Sequence, residues 1–179
     1  TFVPGLRYDY TQLKPHLTDE FLATADQSGN GEVDDDNKTW HRLSPKFGTT
    51  YQFNDHYTWY GQYAEGFRTP SAKALYGRFE NINGGYQVAP NPDLEPEKSK
   101  SYETGLRGQF EAGTFDVAVF YNKYRDFINE NAITPGYNEL TFQSNNIKHA
   151  TIKGLELKGR LNLDTFGAPN GLYTQGSLS

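Results

Sequence analysis

The sequence contains no cysteine and no methionine, and it has no apolar run longer than a few residues. Without cysteine there is no disulfide framework, no thiolate nucleophile and no zinc site built on sulfur. A membrane-spanning helix needs about 20 apolar residues, so a helical membrane protein is excluded. Cations are also few, since 17 Lys and Arg stand against 22 Asp and Glu. The net charge of −5 argues against a nucleic-acid partner, which would favour a basic surface.

Aromatic residues are abundant instead, at 15% of the 179 residues, and many of them alternate with polar residues. In the segment 100–111, Tyr102, Leu106 and Phe110 share one parity, whereas Glu103 and Arg107 share the other. Alternation with a period of two predicts a strand with one apolar and one polar face. Seven segments show this pattern, at residues 2–10, 43–53, 57–66, 100–111, 115–122, 155–163 and 172–179. The sequence therefore predicts an all-β fold of about seven antiparallel strands.

The predicted connections alternate between short and long. Short links fall at residues 54–56, 112–114 and 165–171, and long loops fall at residues 14–38, 67–98 and 126–145. Short periplasmic turns and long extracellular loops are typical of a transmembrane outer-membrane β-barrel, in which the apolar strand face contacts lipid. Trp40, Tyr57 and Trp59 are then expected in the aromatic girdle at the membrane interface.

Seven strands are too few to close such a barrel, since bacterial barrels have roughly eight strands or more, in even numbers. We therefore expect residues 1–179 to be a partial barrel domain from a longer protein. The alternative from another class is a complete soluble β-rich domain, such as a carbohydrate-binding module that uses Trp and Tyr platforms.

Two short motifs bracket the loop at residues 67–98. The first reads Phe67-Arg68-Thr69-Pro70, and the second, which starts 24 residues after Phe67, reads Asn91-Pro92-Asp93-Leu94-Glu95-Pro96-Glu97-Lys98-Ser99. Together they resemble the FRAP and NPNL boxes of TonB-dependent haem receptors of the Gram-negative outer membrane. Residues 44–48, 142–147 and 154–156 also resemble barrel strands of this family, so the resemblance covers most of the chain.

The resemblance implies a transport receptor and not an enzyme. Haem would be the transported ligand, with no catalytic cofactor, and outer-membrane lipid would surround a multi-pass β-barrel. The implied partners are haem or a haemoprotein, TonB acting through an N-terminal plug that residues 1–179 do not contain, and a periplasmic haem-binding protein. Siderophore receptors carry versions of both boxes, so a receptor of the same fold for ferric siderophores is the first alternative.

The same resemblance implies that the loop at residues 67–98 supplies an axial haem ligand. The family usually places a histidine there, but residues 71–90 contain none and carry two tyrosines, Tyr76 and Tyr86. A phenolate is a suitable ligand for ferric haem, and nearby cations favour its ionised form. Tyr76 is the preferred candidate because Arg78 and apolar residues flank it. Tyr86 follows two glycines and is the fallback ligand.

Other residues of the loop are assigned to two roles. Arg68, Lys73 and Arg78 are expected to pair with the haem propionates, since guanidinium groups bind carboxylates through two hydrogen bonds. Proline fixes the backbone and asparagine commonly caps turns. The motif residues expected to shape the loop are therefore Phe67, Pro70, Asn91, Pro92 and Leu94.

The first long loop carries a weaker metal-binding pattern. Asp26, Ser28, Asn30 and Asp34 place oxygen donors at positions 1, 3, 5 and 9 of a segment that imitates an EF-hand. Its twelfth position is Asn37, where the motif requires a bidentate glutamate. We therefore interpret the segment as a solvated acidic loop, with a calcium site as the weaker alternative.

Overall fold

The computed structural model describes residues 1–16, 18, 36–133 and 140–179. Strands in these residues are β1 (Phe2–Leu13), β2 (Lys38–Gln52), β3 (Tyr57–Arg68), β4 (Phe79–Asn81), β5 (Tyr86–Ala89), β6 (Glu97–Phe110), β7 (Gly113–Ile133), β8 (Leu140–Asn162) and β9 (Tyr173–Leu178). They form one sheet in the order β1-β2-β3-β6-β7-β8-β5-β4, with β9 on the far end of β8. Only β5 and β8 pair in parallel within this part of the chain.

The remaining elements are short. One helix, α1 (Ala72–Tyr76), and two 3₁₀ turns, Ile82–Gly84 and Leu163–Phe166, lie between strands. No helix in the described ranges is both long and apolar enough to cross a membrane.

The seven predicted strands are confirmed as β1, β2, β3 and β6 to β9. The structure adds two short strands, β4 and β5, inside the predicted loop at residues 67–98. The sequence did not predict them, because three or four residues are too few to show alternation. The prediction of a loop at residues 126–145 is wrong for most of that range, which forms strands. Strand β7 extends to Ile133 and β8 begins at Leu140, since the ladder continues through an asparagine-rich stretch without an apolar pattern.

The links between β2 and β3 and between β6 and β7 are short, as predicted. The side-chain oxygen of Asn54 accepts hydrogen bonds from the backbone N–H groups of His56 (2.9 Å) and Tyr57 (3.0 Å). An asparagine suits this position because its side chain can bond the backbone two residues ahead. Because the strands are antiparallel, the ends at Leu13 and Arg68 lie at the opposite end of the sheet from these turns.

The register confirms the predicted separation of apolar and polar residues. Phe47, Tyr63, Tyr102 and Tyr121 lie directly opposite one another on four neighbouring strands. Successive ring centroids are 5.0, 5.0 and 6.4 Å apart, so these residues form a continuous aromatic row. The same face, here called the apolar face, also carries Leu43, Tyr57, Trp59, Leu106, Val117 and Leu157. The opposite face, called the polar face, carries Tyr60, Gln62, Glu103, Arg107, Asp116 and Lys158.

The girdle prediction is wrong for Trp40. This residue has the parity of the polar face of β2 and packs against a buried cluster that includes Leu75 and Leu94. Tyr57 and Trp59 do lie on the apolar face. A position near a strand end does not tell these cases apart, because the register decides which face a side chain joins.

Glycine at position 105 allows the ring of Tyr60 to lie across β6. The two residues are directly opposite in the β3–β6 ladder, and a Cβ atom at Gly105 would lie 2.5 Å from the tyrosine ring. We expect Gly105→Ala to lower the free energy of unfolding by about 1–3 kcal/mol, the usual cost of overpacking. Gly48→Ala is the matched control, since its Cβ would meet nothing within 4 Å. Denaturant unfolding in detergent compares them, and equal stability would contradict the prediction.

Candidate functional site

The two sequence motifs meet at the base of the loop between β3 and β6. Arg68 and Glu97 are directly opposite in the ladder, and Nη2 of Arg68 donates to the Glu97 carboxylate at 2.8 Å. The Glu97 side chain is only 12% exposed and also accepts a hydrogen bond from the N–H of Ile128 at 3.3 Å. Nη1 of Arg68 lies 3.5 Å from Glu130. The loop therefore begins and ends on one ion pair between residues that are 29 positions apart.

Helix α1 and the second motif share a small buried cluster. Leu75 is 1% exposed, Leu94 is 4% exposed and Tyr76 is 7% exposed. The partly buried side chains that pack against them are Leu13, Trp40 and Ala74. Burial of a leucine side chain contributes roughly 1.5–3 kcal/mol. The cluster thus holds α1 and the second motif against the first two strands.

The ends of α1 are defined by short-range hydrogen bonds. Ser71 caps its start by accepting from the N–H of Ala74 at 3.2 Å, and the N–H of Gly77 closes its end on the Lys73 carbonyl at 2.8 Å. The N–H of Asn91 donates to the Ala74 carbonyl at 2.9 Å. A helix this short is not stable alone in water, so these contacts and the buried cluster determine its position.

Asn91 joins the second motif to β8. Its Nδ2 donates to the carbonyl of Ser144 at 2.8 Å, and its Oδ1 accepts from the N–H of Asp93 at 3.1 Å. Its own carbonyl accepts from the N–H of Leu94 at 3.4 Å. The asparagine side chain therefore closes a turn and bonds the neighbouring strand at the same time.

The beginning of β8 supplies polar side chains that sequence reasoning did not assign. Thr141 is fully buried and accepts a hydrogen bond from Nε2 of Gln87 at 2.9 Å. Nε2 of Gln143 donates to the Pro90 carbonyl at 2.8 Å. The amide-rich stretch at residues 142–147 was the available signal, because amides both donate to and accept from backbone groups.

The side chain of Asn146 makes three hydrogen bonds to backbone groups. Its Oδ1 accepts from the N–H of Glu95 at 2.8 Å, and its Nδ2 donates to the carbonyl of Glu95 at 2.9 Å. The same Nδ2 donates to the carbonyl of Asp126 at 2.7 Å. Asp126 has a φ of +54°, a conformation that costs free energy for a residue with a side chain. Asn146 thus links the second motif to β7 and β8.

We expect Asn146→Ala to loosen the second motif, because it removes three hydrogen bonds worth roughly 1 kcal/mol each. Hydrogen exchange at residues 91–98, measured by mass spectrometry, should become faster by about 30-fold or more. Asn145→Ala is the control, because the same change is made at an exposed neighbouring position. Equal exchange rates in the two variants would show that the Asn146 contacts do not hold the motif.

The two candidate tyrosines differ in their surroundings. Tyr76 is 7% exposed, and its hydroxyl donates to the carbonyl of Asp36 at 2.8 Å. Tyr86 is partly exposed, with its ring centroid 6.0 Å from that of Phe79 and 6.1 Å from that of Phe142. Ligation of iron by Tyr76 would require the bond to Asp36 to break. The ligand role of either tyrosine stays a prediction.

The predicted propionate partners are dispersed. Arg68 lies at the loop base in the ion pair with Glu97, Lys73 is exposed on α1, and Arg78 is partly exposed after it. Among the loop-shaping residues, Pro70 is buried, whereas Pro92 is partly exposed. Phe67 is opposite Lys98 and has the parity of the apolar face.

The predicted calcium ligands Asp26, Ser28, Asn30 and Asp34 lie outside the described residues. Among the residues that are described, no group of three or more His, Asp or Glu side chains is arranged to hold a metal ion. The candidate site is therefore the loop itself, with its tyrosines, its cations and the polar contacts that fasten it to β8.

Known proteins resemble this chain in sequence and in fold. The family described as TonB dependent receptor-like, beta-barrel matches residues 1–177. Hemoglobin-haptoglobin utilization protein B of Neisseria meningitidis serogroup A is 32% identical over 145 residues, which are 71% of this chain and 18% of that protein. The copper transporter OprC superposes with a TM-score of 0.71 at 18% identity, over 98% of this chain and 25% of OprC.

A further structure is the Serratia marcescens hemophore receptor HasR, as a double mutant in complex with its hemophore HasA and heme. It superposes with a TM-score of 0.60 at 19% identity, over 89% of this chain and 27% of HasR. Both structural matches show the fold alone. The alternative of a carbohydrate-binding module is wrong, because the family match covers nearly the whole chain. The chain is a segment of an outer-membrane β-barrel and belongs to the TonB-dependent receptor family.

Proposed function

We propose that the chain is part of a receptor that takes up haem across the Gram-negative outer membrane and carries no enzymatic activity. The observation that carries this proposal is the 32% identity to a hemoglobin-haptoglobin utilization protein. The ion pair between Arg68 and Glu97 supports it, because it joins the two haem-receptor-like motifs and closes the loop between them. The chain spans 18% of the length of that relative, so the proposal concerns the complete receptor.

The proposed partners follow from the same family. Haem or a haemoprotein would be the extracellular ligand, and TonB would act through a plug that residues 1–179 do not include. A periplasmic haem-binding protein would receive the haem, and lipid would contact the apolar face. The polar face would then line the lumen, which agrees with its glutamate, arginine and lysine residues.

We further propose that a loop tyrosine is an axial ligand of the haem iron. The sequence ranks Tyr76 first, but its burial and its bond to Asp36 favour Tyr86 for this role. Tyr86 lies between Phe79 and Phe142, whose rings provide an apolar surface suited to a porphyrin. Lys73, which is exposed on α1, and Arg78, which follows that helix, are the proposed propionate partners because both lie within the loop.

A haem titration of the intact receptor tests this function. Ferric haem should produce a saturable Soret shift, whereas a ferric siderophore should neither bind nor compete. A receptor that binds the siderophore and leaves the Soret band unchanged would establish the alternative of a siderophore receptor. This titration depends on the whole binding site, and the contribution of each tyrosine is tested separately by substitution.

A further inference from the structure

Four cations cluster on the apolar face immediately beyond the aromatic row. Lys98 is directly opposite Arg125, and Lys100 is directly opposite Lys123, on the adjacent strands β6 and β7. We call these four residues the cationic cluster. They share the parity of Tyr102 and Tyr121, so they belong to the lipid-facing side of the barrel segment and not to the lumen.

The charges of the cluster are only partly balanced. Glu65 lies 3.4 Å from the ammonium of Lys100, but its carboxylate also bonds Arg42 at 2.8 Å. Within the described residues, no carboxylate lies within 4.0 Å of Lys98, Lys123 or Arg125. Like charges placed directly opposite across two strands repel each other. An anionic ligand that bridges both pairs would remove this repulsion.

The cluster surrounds a cavity and not a flat surface. This cavity has a volume of about 670 Å³, and all four members of the cationic cluster line it together with Arg42 and His149. Tyr102 also lines the cavity, and the ammonium of Lys123 lies 5.5 Å from the ring centroid of Tyr121, the neighbour of Tyr102 in the aromatic row. The cavity thus borders both the cations and the end of the aromatic row.

The position of the cluster matches the layers of a membrane. Aromatic residues concentrate where the acyl region meets the headgroups. Lys100 and Lys123 lie two residues beyond the aromatic row, which is about 7 Å along a strand, and Lys98 and Arg125 lie about 13 Å beyond it. These distances place the cations beside headgroup phosphates when the rings lie at the interface. The long loops begin at this end of the sheet, so the leaflet is the outer one.

We propose that the cationic cluster binds the phosphate groups of a phosphorylated glycolipid in the outer leaflet. Charge-assisted hydrogen bonds to phosphate suit both the ammonium and the guanidinium groups, and the latter can bond two oxygens at once. The acyl chains would then run down the aromatic row towards Trp59 and Leu106 on the same face. Lys98 is the last residue of the loop at residues 67–98, but the cluster lies on the apolar face, whereas helix α1 of that loop packs against residues of the polar face.

The test uses the intact, delipidated receptor in detergent, titrated with bisphosphorylated lipid A and followed by native mass spectrometry. The variant Lys98→Gln/Lys123→Gln/Arg125→Gln should bind this lipid on the order of 100-fold more weakly, because each cation near anionic headgroups contributes roughly fivefold. The control Lys46→Gln/Lys158→Gln/Arg160→Gln removes the same charge from the polar face and should change binding by less than about threefold.

Two further titrations use the unaltered receptor, so their results do not depend on whether a variant folds correctly. Dephosphorylated lipid A should bind on the order of 100-fold more weakly than the bisphosphorylated form, and millimolar inorganic phosphate should not displace the latter. Equal binding of both lipids would overturn the proposal, as would equal losses in the two triple variants. Displacement by inorganic phosphate would show a free-anion site and would overturn the assignment to a lipid.

Discussion

Replacement of Tyr86 by phenylalanine is expected to weaken ferric haem binding by the intact receptor by about tenfold or more. Loss of an outer-shell partner alone typically costs about 10- to 100-fold in metal affinity, so loss of the ligand oxygen should cost no less. The substitution removes only the hydroxyl and leaves the ring between Phe79 and Phe142, so the shape of the loop should be kept. Titration of the Soret band measures the affinity.

Two further variants make this result specific. Tyr86→His should retain haem with a shifted spectrum, because an imidazole replaces the phenolate as ligand. Tyr76→Phe should bind haem within a few-fold of the unaltered receptor, since it removes a hydrogen bond to Asp36 that contributes about 1 kcal/mol to the loop. If Tyr76→Phe abolished the Soret shift while Tyr86→Phe retained it, Tyr76 would be the ligand. Unchanged titrations in both would exclude a tyrosine ligand from this loop.

Leu75→Ala is expected to release α1 from the sheet and expose the loop between the two motifs. Leu75 is 1% exposed and contacts Leu94 and Tyr76 in the buried cluster. Removal of a buried leucine side chain typically costs about 2–5 kcal/mol, because a cavity remains where the side chain was. The loss should appear as local opening of residues 69–96, since the long strands carry their own ladders.

Limited proteolysis of the intact receptor in detergent measures this opening. A loss of about 2 kcal/mol increases the population of the open loop about 30-fold. Cleavage within residues 69–96 should accelerate by about the same factor or more, because the protease cuts only the open form. Leu140→Ala is the matched control, because the same side chain is shortened at a position that is 46% exposed. Equal cleavage rates for the two variants would mean that the buried cluster does not hold the loop.

The long strands were predictable because a strand with two different faces leaves a period of two in its own sequence. Tyr102, Leu106 and Phe110 are the clearest case, and all three lie on the apolar face as expected. Strands β4 and β5 were not predictable, because they are too short for a pattern and β5 is held by pairing with β8. The extension of β7 beyond Asp126 was missed for a related reason, since its asparagines favour loops when read locally.

The site was predictable only in part. The motifs identified the loop, its two tyrosines and its shaping residues, because these are local features of the chain. The partner of Arg68 could not be predicted, since Arg68 and Glu97 meet only when β3 and β6 pair in this register. Asn146 could not have been assigned to Glu95, which is 51 residues away in the sequence.

The sequence by itself determined the seven long strands, their two faces and the family, because alternation and motifs are properties of residues that are close together in the chain. The tertiary structure alone decided which cations oppose each other, which tyrosine is buried and which tryptophan turns inward. Register is the physical reason. A shift of one residue between two strands moves every side chain to the other face, and the pairing of Lys98 with Arg125 or of Arg68 with Glu97 exists only in the register that the whole sheet adopts.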